Sequence, residues 1–191
     1  LLVAHAKTLE ESEPPVIEFA QVFVLAQLAV EAKRTDDVLH FYRLAIDMRN
    51  DPPAVLYREL SNYLIDQEEY KPAIEILEEA ASHPSRDLQD SRWQFLYFLS
   101  FAYELDGQTD PALEAIRGAQ EEQPDEPLLQ YQEGWVYYHA QRWDEATELF
   151  EAFVAEHGDA VEAVRACKRF GYFSGWRYTV VNHEFCCKIF N

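Results

Sequence analysis

No run of eighteen apolar residues occurs in this chain, so no helix of it is expected to span a bilayer. Cationic residues are scarce: 16 lysines and arginines face 35 aspartates and glutamates, a formal charge of −19. Such a field repels phosphate backbones and excludes nucleic acid as a partner. It speeds the encounter with a basic protein or peptide, or it keeps an extended surface soluble. A phosphate-cradling glycine loop, a nucleophile elbow and a His-Glu-x-x-His pair are all missing. His5, His40, His83, His139, His157 and His183 are scattered, and carboxylate pairs such as Glu121–Glu122 fall on solvent faces. No catalytic residue and no cofactor is expected.

Cysteine is rare as well. Its three copies, Cys167, Cys186 and Cys187, all lie in residues 166–191, where four cations meet the single acid Glu184. That stretch carries +3 and leaves −22 on the rest, so the composition changes near residue 166. Adjacent cysteines lack Cys-x-x-Cys geometry, and His183 with Cys167 does not complete a convincing ligand set, so no metal site is assigned. At the other end, Leu1 to Ala6 have neither an initiator Met nor a basic n-region and do not read as a signal peptide. A fragment or a mature chain is the expectation, with the compartment open between cytoplasmic and periplasmic.

What the chain does have is internal repetition. Asp36-Asp37-Val38-Leu39, Lys71-Pro72-Ala73-Ile74, Asp110-Pro111-Ala112-Leu113 and Asp144-Glu145-Ala146-Thr147 share one pattern, their third residues spaced 35, 39 and 34 apart. Four residues beyond each stands a bulky side chain (Tyr42, Leu77, Ile116, Phe150), and three further on Ala45, Ala80, Ala119 and Phe153. Spacings of four and three put these on one helical stripe. Twelve residues before each motif is a small residue, Ala26, Ser61, Ser100 or Gly134, followed three later by Ala29, Leu64, Tyr103 or Tyr137. A small residue lets a second helix approach closely, so each unit reads as two amphipathic helices joined by a short turn.

These residues resemble the tetratricopeptide repeat (TPR) family over about residues 19–158, with four degenerate copies near its period. The third copy, Leu99 through Pro124, matches best; the fourth departs at Gln130, Glu133 and Phe153. The resemblance implies an all-α, right-handed superhelical solenoid of antiparallel helix pairs. Repeats are expected at about 19–52, 54–85, 93–126 and 127–158 within residues 15–158. An N-terminal helix over 1–14 reads as the remnant of a preceding repeat, residues 159–170 as a capping helix, and 171–191 as a non-repeat tail.

Helices are predicted at about 15–32, 36–49, 54–67, 70–82, 88–106, 109–122, 127–141, 143–157 and 159–170. Pro72 and Pro111 suit helix starts, and Asp36 or Asp37, Asp110 and Asp144 stand where a carboxylate caps a helix or offsets its dipole. Pro52, Pro84, Pro124 and Gly158 fall between units. The tail is aromatic and β-branched, with a short strand expected around 176–181; it covers the end of the stack or is foreign to the natural protein.

By resemblance, the first helices line a concave groove. Its expected residues are Phe23 and Gln27; Arg58, Asn62 and Asp66; Tyr97, Phe98, Phe101 and Glu104; and Tyr131, Trp135, Tyr138 and His139. Tyr97 with Phe101, and Tyr131 with Trp135, are four apart, and Tyr138 follows three later, so each set shares a helix face. An open aromatic wall of this kind marks an interaction site; packed between repeats, the same rings are core. Glu133 is expected to be buried and to pair with Arg117 or Arg142, unless that helix is rotated. Arg58 and Asn62 look like half of a carboxylate clamp, but Phe98, Leu128 and Gln132 stand where its other donors are needed.

The function expected is a protein-interaction scaffold binding a basic or apolar peptide or protein segment. The alternatives are a recruiting or regulatory segment of a larger enzyme, and a structural solenoid that forms homo-oligomers through its open end.

Overall fold

A computed structural model describes residues 18–157. The expected helices over 1–14 and 159–170, the strand near 176–181, and Cys167, His183, Cys186 and Cys187 lie outside the described residues. The chain divides into two compact units, one ending at Pro124 and the other beginning at Asp125.

In the first unit, α1 (Phe19–Glu31) pairs with α2 (Thr35–Asp47), and α3 (Ala54–Asp66) pairs with α4 (Tyr70–Ser82). A short α5 (Arg86–Asp90) leads into α6 (Arg92–Leu105), which packs on α7 (Thr109–Glu122). Successive pairs also touch, α2 against α3 and α4 against α6. In the second unit α8 (Pro127–His139) packs against α9 (Trp143–His157). All the regular structure of the described residues is helical.

The stripes read from spacing are the core. Val38, Tyr42 and Ala45 on α2, Ala73, Leu77 and Ala80 on α4, and Ala112, Ile116 and Ala119 on α7 are all buried. Opposite them, Ala26, Ser61 and Ser100 have no exposed surface. Each large side chain so enclosed contributes about 1.5–3 kcal/mol by leaving water.

One turn closes every pair. Lys33, Glu68, Gly107 and Gln141 have φ of 53°, 62°, 78° and 60°, and three of these four left-handed residues are not glycine. Each is followed by an amide that reaches back to the same register: Arg34 N–H to Ala29 C=O at 3.0 Å, Glu69 to Leu64 at 2.9 Å, Gln108 to Tyr103 at 2.8 Å and Arg142 to Tyr137 at 2.9 Å. The left-handed residue itself donates to the carbonyl three back, which completes a Schellman closure and satisfies two terminal carbonyls.

The helix starts differ in detail from the sequence reading. Asp36, Asp37, Asp110 and Asp144 occupy first turns but are not caps; the capping positions of α2 and α7 belong to Arg34 and Gln108. The carboxylates therefore act on the helix dipole, and Asp37 also pairs with Arg34 at 2.6 Å. The single helix expected at 88–106 is two, broken at Ser91 (φ −105°, ψ 5°). Leu88, fully buried, holds α5 to the fold, and Arg92 starts α6 by donating from Nε to the Ala81 carbonyl at 3.1 Å. The other end of that guanidinium pairs with Glu122 at the close of α7.

Candidate interaction surface

On α3, Arg58 and Asn62 are half-buried and Asp66 is exposed. Ser61 lies between them, fully buried, its hydroxyl donating to the Arg58 carbonyl at 3.1 Å. On α1, Gln27 is exposed, while Phe23 stacks on Phe19 and meets the edge of Tyr42, both at 6.3 Å between ring centres.

The rings expected to form an open wall on α6 are instead enclosed. Tyr97, Phe98 and Phe101 are buried, as is Glu104, and Tyr97 meets Phe98 edge-on at 5.3 Å. The reason is compositional: from Phe95 to Ala102 only Ser100 interrupts aromatic and aliphatic residues, so α6 has no charged side along that stretch, and every residue of it is buried. A helix apolar all round goes inside. The four-residue spacing of Tyr97 and Phe101 was read as a face, whereas the whole circumference is buried, with Ser100 its one small polar residue.

Unit two is graded. Trp135 is buried, Tyr131 and Tyr138 are half-buried, and His139 is exposed. Trp135 meets Tyr131 at 5.9 Å, Tyr138 at 5.1 Å, His139 at 5.5 Å and Phe150 at 5.6 Å. Tyr138 in turn meets Trp143 at 5.1 Å, and Trp143 is exposed. The cluster thus runs from the core at Phe150 outward to Trp143. All of these pairs but the tilted Trp135–His139 are edge-to-face, a geometry that adds about 0.5–1.5 kcal/mol per pair beyond area burial. Glu133 is buried, as expected; Arg142 bonds Glu145 at 2.6 Å and lies 4.5 Å over the Tyr137 ring. That ion pair holds the Glu145 carboxyl below its ordinary value.

A series of tyrosine–glutamate bonds was missed by sequence reading. Tyr42 Oη donates to Glu59 at 2.7 Å, linking α2 to α3, and Tyr57 Oη donates to Glu79 at 2.8 Å, linking α3 to α4. Arg43 pairs with the same Glu79, and Tyr103 donates to Glu78. Burial, reinforced by the bonded carboxylates, raises the Tyr42 and Tyr57 phenols well above their ordinary range and pushes Tyr103 up to about 12. Their partners lie 17 to 25 residues away in sequence, and no local spacing signals them. Val24, Leu28 and Trp143 were also missed as exposed apolar groups.

Among the described residues, no group of His, Cys, Asp or Glu is placed to hold a metal ion, and no helix is long and apolar enough to cross a membrane. The surfaces offer ring faces, a guanidinium and an amide, groups suited to recognition.

No family model and no curated protein matches the chain. Solved structures do. Nearly identical TPR-like repeats of a Podosopora anserina chain named as a kinesin light chain share 21% identity at a TM-score of 0.57, covering 81% of each chain. A single-substitution variant of that protein gives 0.56 at 21% identity, covering 82% of this chain and 83% of that one. Together with the consecutive helix pairs, these likenesses place the chain by its fold: it has an all-α, TPR-like repeat fold of paired helices.

Proposed function

We propose that this chain is a non-catalytic protein-interaction scaffold whose first helices take a peptide or protein segment. In unit one the contact edge is Arg58 and Asn62 on α3, with Tyr97, Phe98 and Phe101 of α6 as the apolar body of the fold beneath it. In unit two it is Tyr138, continuing outward from Tyr131 and Trp135. The repeats proposed are those over 19–52, 54–85, 93–126 and 127–158.

The observation that carries the reading is the graded cluster on α8. Tyr138 is half-buried, fixed by Trp135 at 5.1 Å, and opens toward the exposed Trp143. Rigid aromatic anchors with a polar tip lose little entropy on binding and recur as hot spots. The charge of −19 favours a segment that pairs apolar side chains with a basic flank.

The test is capture from a lysate of the source cells on immobilised full chain, compared with Tyr138→Ala and with Arg58→Ala/Asn62→Ala. All three positions are partly exposed, so helicity by circular dichroism should stay unchanged. The expected result is loss of proteins that the parent retains. Capture of the same proteins by both variants overturns the assignment of these edges.

A further inference from the structure

The contacts that hold α5 to the fold gather around one side chain. His83, half-buried at the close of α4, accepts the Ser85 N–H on Nδ1 at 3.1 Å, and its carbonyl accepts Gln89 Nε2 at 2.6 Å. Ser85 is buried, and its hydroxyl donates to Asp51 in the connection between α2 and α3. Two residues on, Asp87 accepts the Ala54 N–H at 2.7 Å and so caps α3. His83, Ser85 and Asp87 therefore join the end of α4 to the start of α3 by way of α5.

The bond to Nδ1 requires one protonation state. A ring that accepts there is the neutral tautomer with its proton on Nε2, whereas an imidazolium donates from both nitrogens. Protonation sets donor against donor and leaves the amide of a buried residue without an acceptor. Among the described residues the Ser85 amide is the hydrogen-bond partner of this ring. The ionisable groups around it are engaged elsewhere. Glu79, four residues earlier on α4, accepts from Tyr57 Oη at 2.8 Å and pairs with Arg43, and the Tyr57 ring of α3 lies 6.4 Å from His83. Asp51 holds Ser85 and Asp87 holds Ala54. Arg86 pairs with Asp90 at 3.7 Å, and Arg92 with Glu122. Each of these carboxylates already has its own donor.

We propose that His83 is a pH-sensitive clip on α5. Neutral, it ties down Ser85 and with it the Asp87 cap of α3. Protonated, it releases the Ser85 amide, and α5 and the first turn of α3 loosen together. Imidazole is the side chain whose charge changes between about pH 5 and 8, above the ordinary carboxylate range. The device stands apart from the assignment of Arg58 and Asn62, which lie farther along α3 than the turn it controls.

The experiment reads backbone amide exchange in the full chain, as protection relative to the intrinsic rate, at about pH 7.5 and about pH 5.5. Protection of Ser85 and Ala54 is expected to fall about fivefold at the lower pH, the worth of one hydrogen bond. Amides in the middle of α4, such as that of Leu77, should hold. His83→Asn places a carbonyl oxygen close to where Nδ1 stood and accepts at every pH, so in it both amides should stay protected. In His83→Ala both should exchange fast at either pH, with helicity by circular dichroism intact. Equal protection of Ser85 at the two pH values in the parent overturns the proposal. So does a fall at Ser85 without one at Ala54, which confines the effect to a single bond. A fall that persists in His83→Asn overturns it as well, because another group is then the one that titrates.

Discussion

A Cβ built on Gly134 lies 2.7 Å from Cε1 of Phe150 and 2.9 Å from its Cζ. Glycine here is a condition of helix approach: α8 carries hydrogen where the ring of α9 needs room. Phe150 has little freedom to yield, because its ring is held by Tyr131 at 5.8 Å and Trp135 at 5.6 Å.

Gly134→Ala is therefore expected to destabilise the fold by about 1–3 kcal/mol, the range for overpacking, even though alanine is the better helix former. Combining it with Phe150→Leu, which removes the offending ring atoms, should recover part of the loss. Denaturant midpoints of the three variants check this; a Gly134→Ala protein as stable as its parent would falsify the packing argument.

Ser100 fills the equivalent small position on α6, fully buried, and its hydroxyl has no hydrogen-bond partner. Ser61, by contrast, bonds the Arg58 carbonyl, and α1 uses Ala26 at this place with no exposed surface. Ser100→Ala should raise stability by about 1 kcal/mol, since it removes a desolvated group that earns nothing back. The same change at Ser61 should be neutral or destabilising. Equal gains at both positions would point to helix propensity alone.

The four hairpin turns give a second series. Lys33, Glu68 and Gln141 adopt a left-handed conformation that costs a side-chain-bearing residue roughly 1 kcal/mol or more. Lys33→Gly, Glu68→Gly and Gln141→Gly are each expected to stabilise by about 0.5–1 kcal/mol, and Gly107→Ala to destabilise by a similar amount. Nothing lies within 4 Å of a Cβ on Gly107, so that loss reads backbone conformation alone. Gains at the three turns and a loss at the fourth, measured by thermal unfolding, would fix the closure as one repeated device.

Much of this was legible in the sequence. The small residues at 26, 61, 100 and 134 and the bulky ones at 42, 77, 116 and 150 predict the pairing directly, because close approach demands that size contrast. The turn conformation was hidden, since only Gly107 advertises it and the others carry Lys, Glu and Gln. The site was read less well. Helical spacing identifies rings that share a face, but says nothing of whether another element covers that face. On α6, the unbroken apolar run from Phe95 to Leu99 was the missed warning. The break at Ser91 depends on contacts across the fold, Arg92 to Ala81 and Leu88 to the core, which no local pattern records.

One such distant contact caps α3. The Ala54 amide, at the first position of that helix, donates to Asp87 Oδ2 at 2.7 Å from 33 residues away. Pro53 at the capping position has no side-chain acceptor, so α5 supplies one. Asp87→Ala should cost about 1 kcal/mol, as loss of an N-terminal cap does, with Asp87→Asn retaining most of it. If the alanine variant unfolds at the parent's denaturant concentration, the bond contributes nothing.

The tyrosine bonds set the behaviour in base. Burial first, then the bonded and charged Glu78, pushes the Tyr103 phenol up to about 12 from an ordinary value of 10.0. The folded state thus holds this proton more tightly than the unfolded chain, and the stability it confers is fully present below pH 10. That stability is lost as pH rises from 10 through about 12. Tyr42 and Tyr57 shift in the same direction and further, so they extend the loss to higher pH. Thermal unfolding from neutral to strongly basic pH should show a falling Tm above pH 10, accompanied by delayed growth of tyrosinate absorbance relative to the unfolded chain. In Tyr103→Phe the early part of that fall should flatten, because the variant has no proton to lose at this site. A slope identical to the parent's would mean that Tyr103 releases its proton as readily folded as unfolded, and that its bond to Glu78 is not maintained in solution.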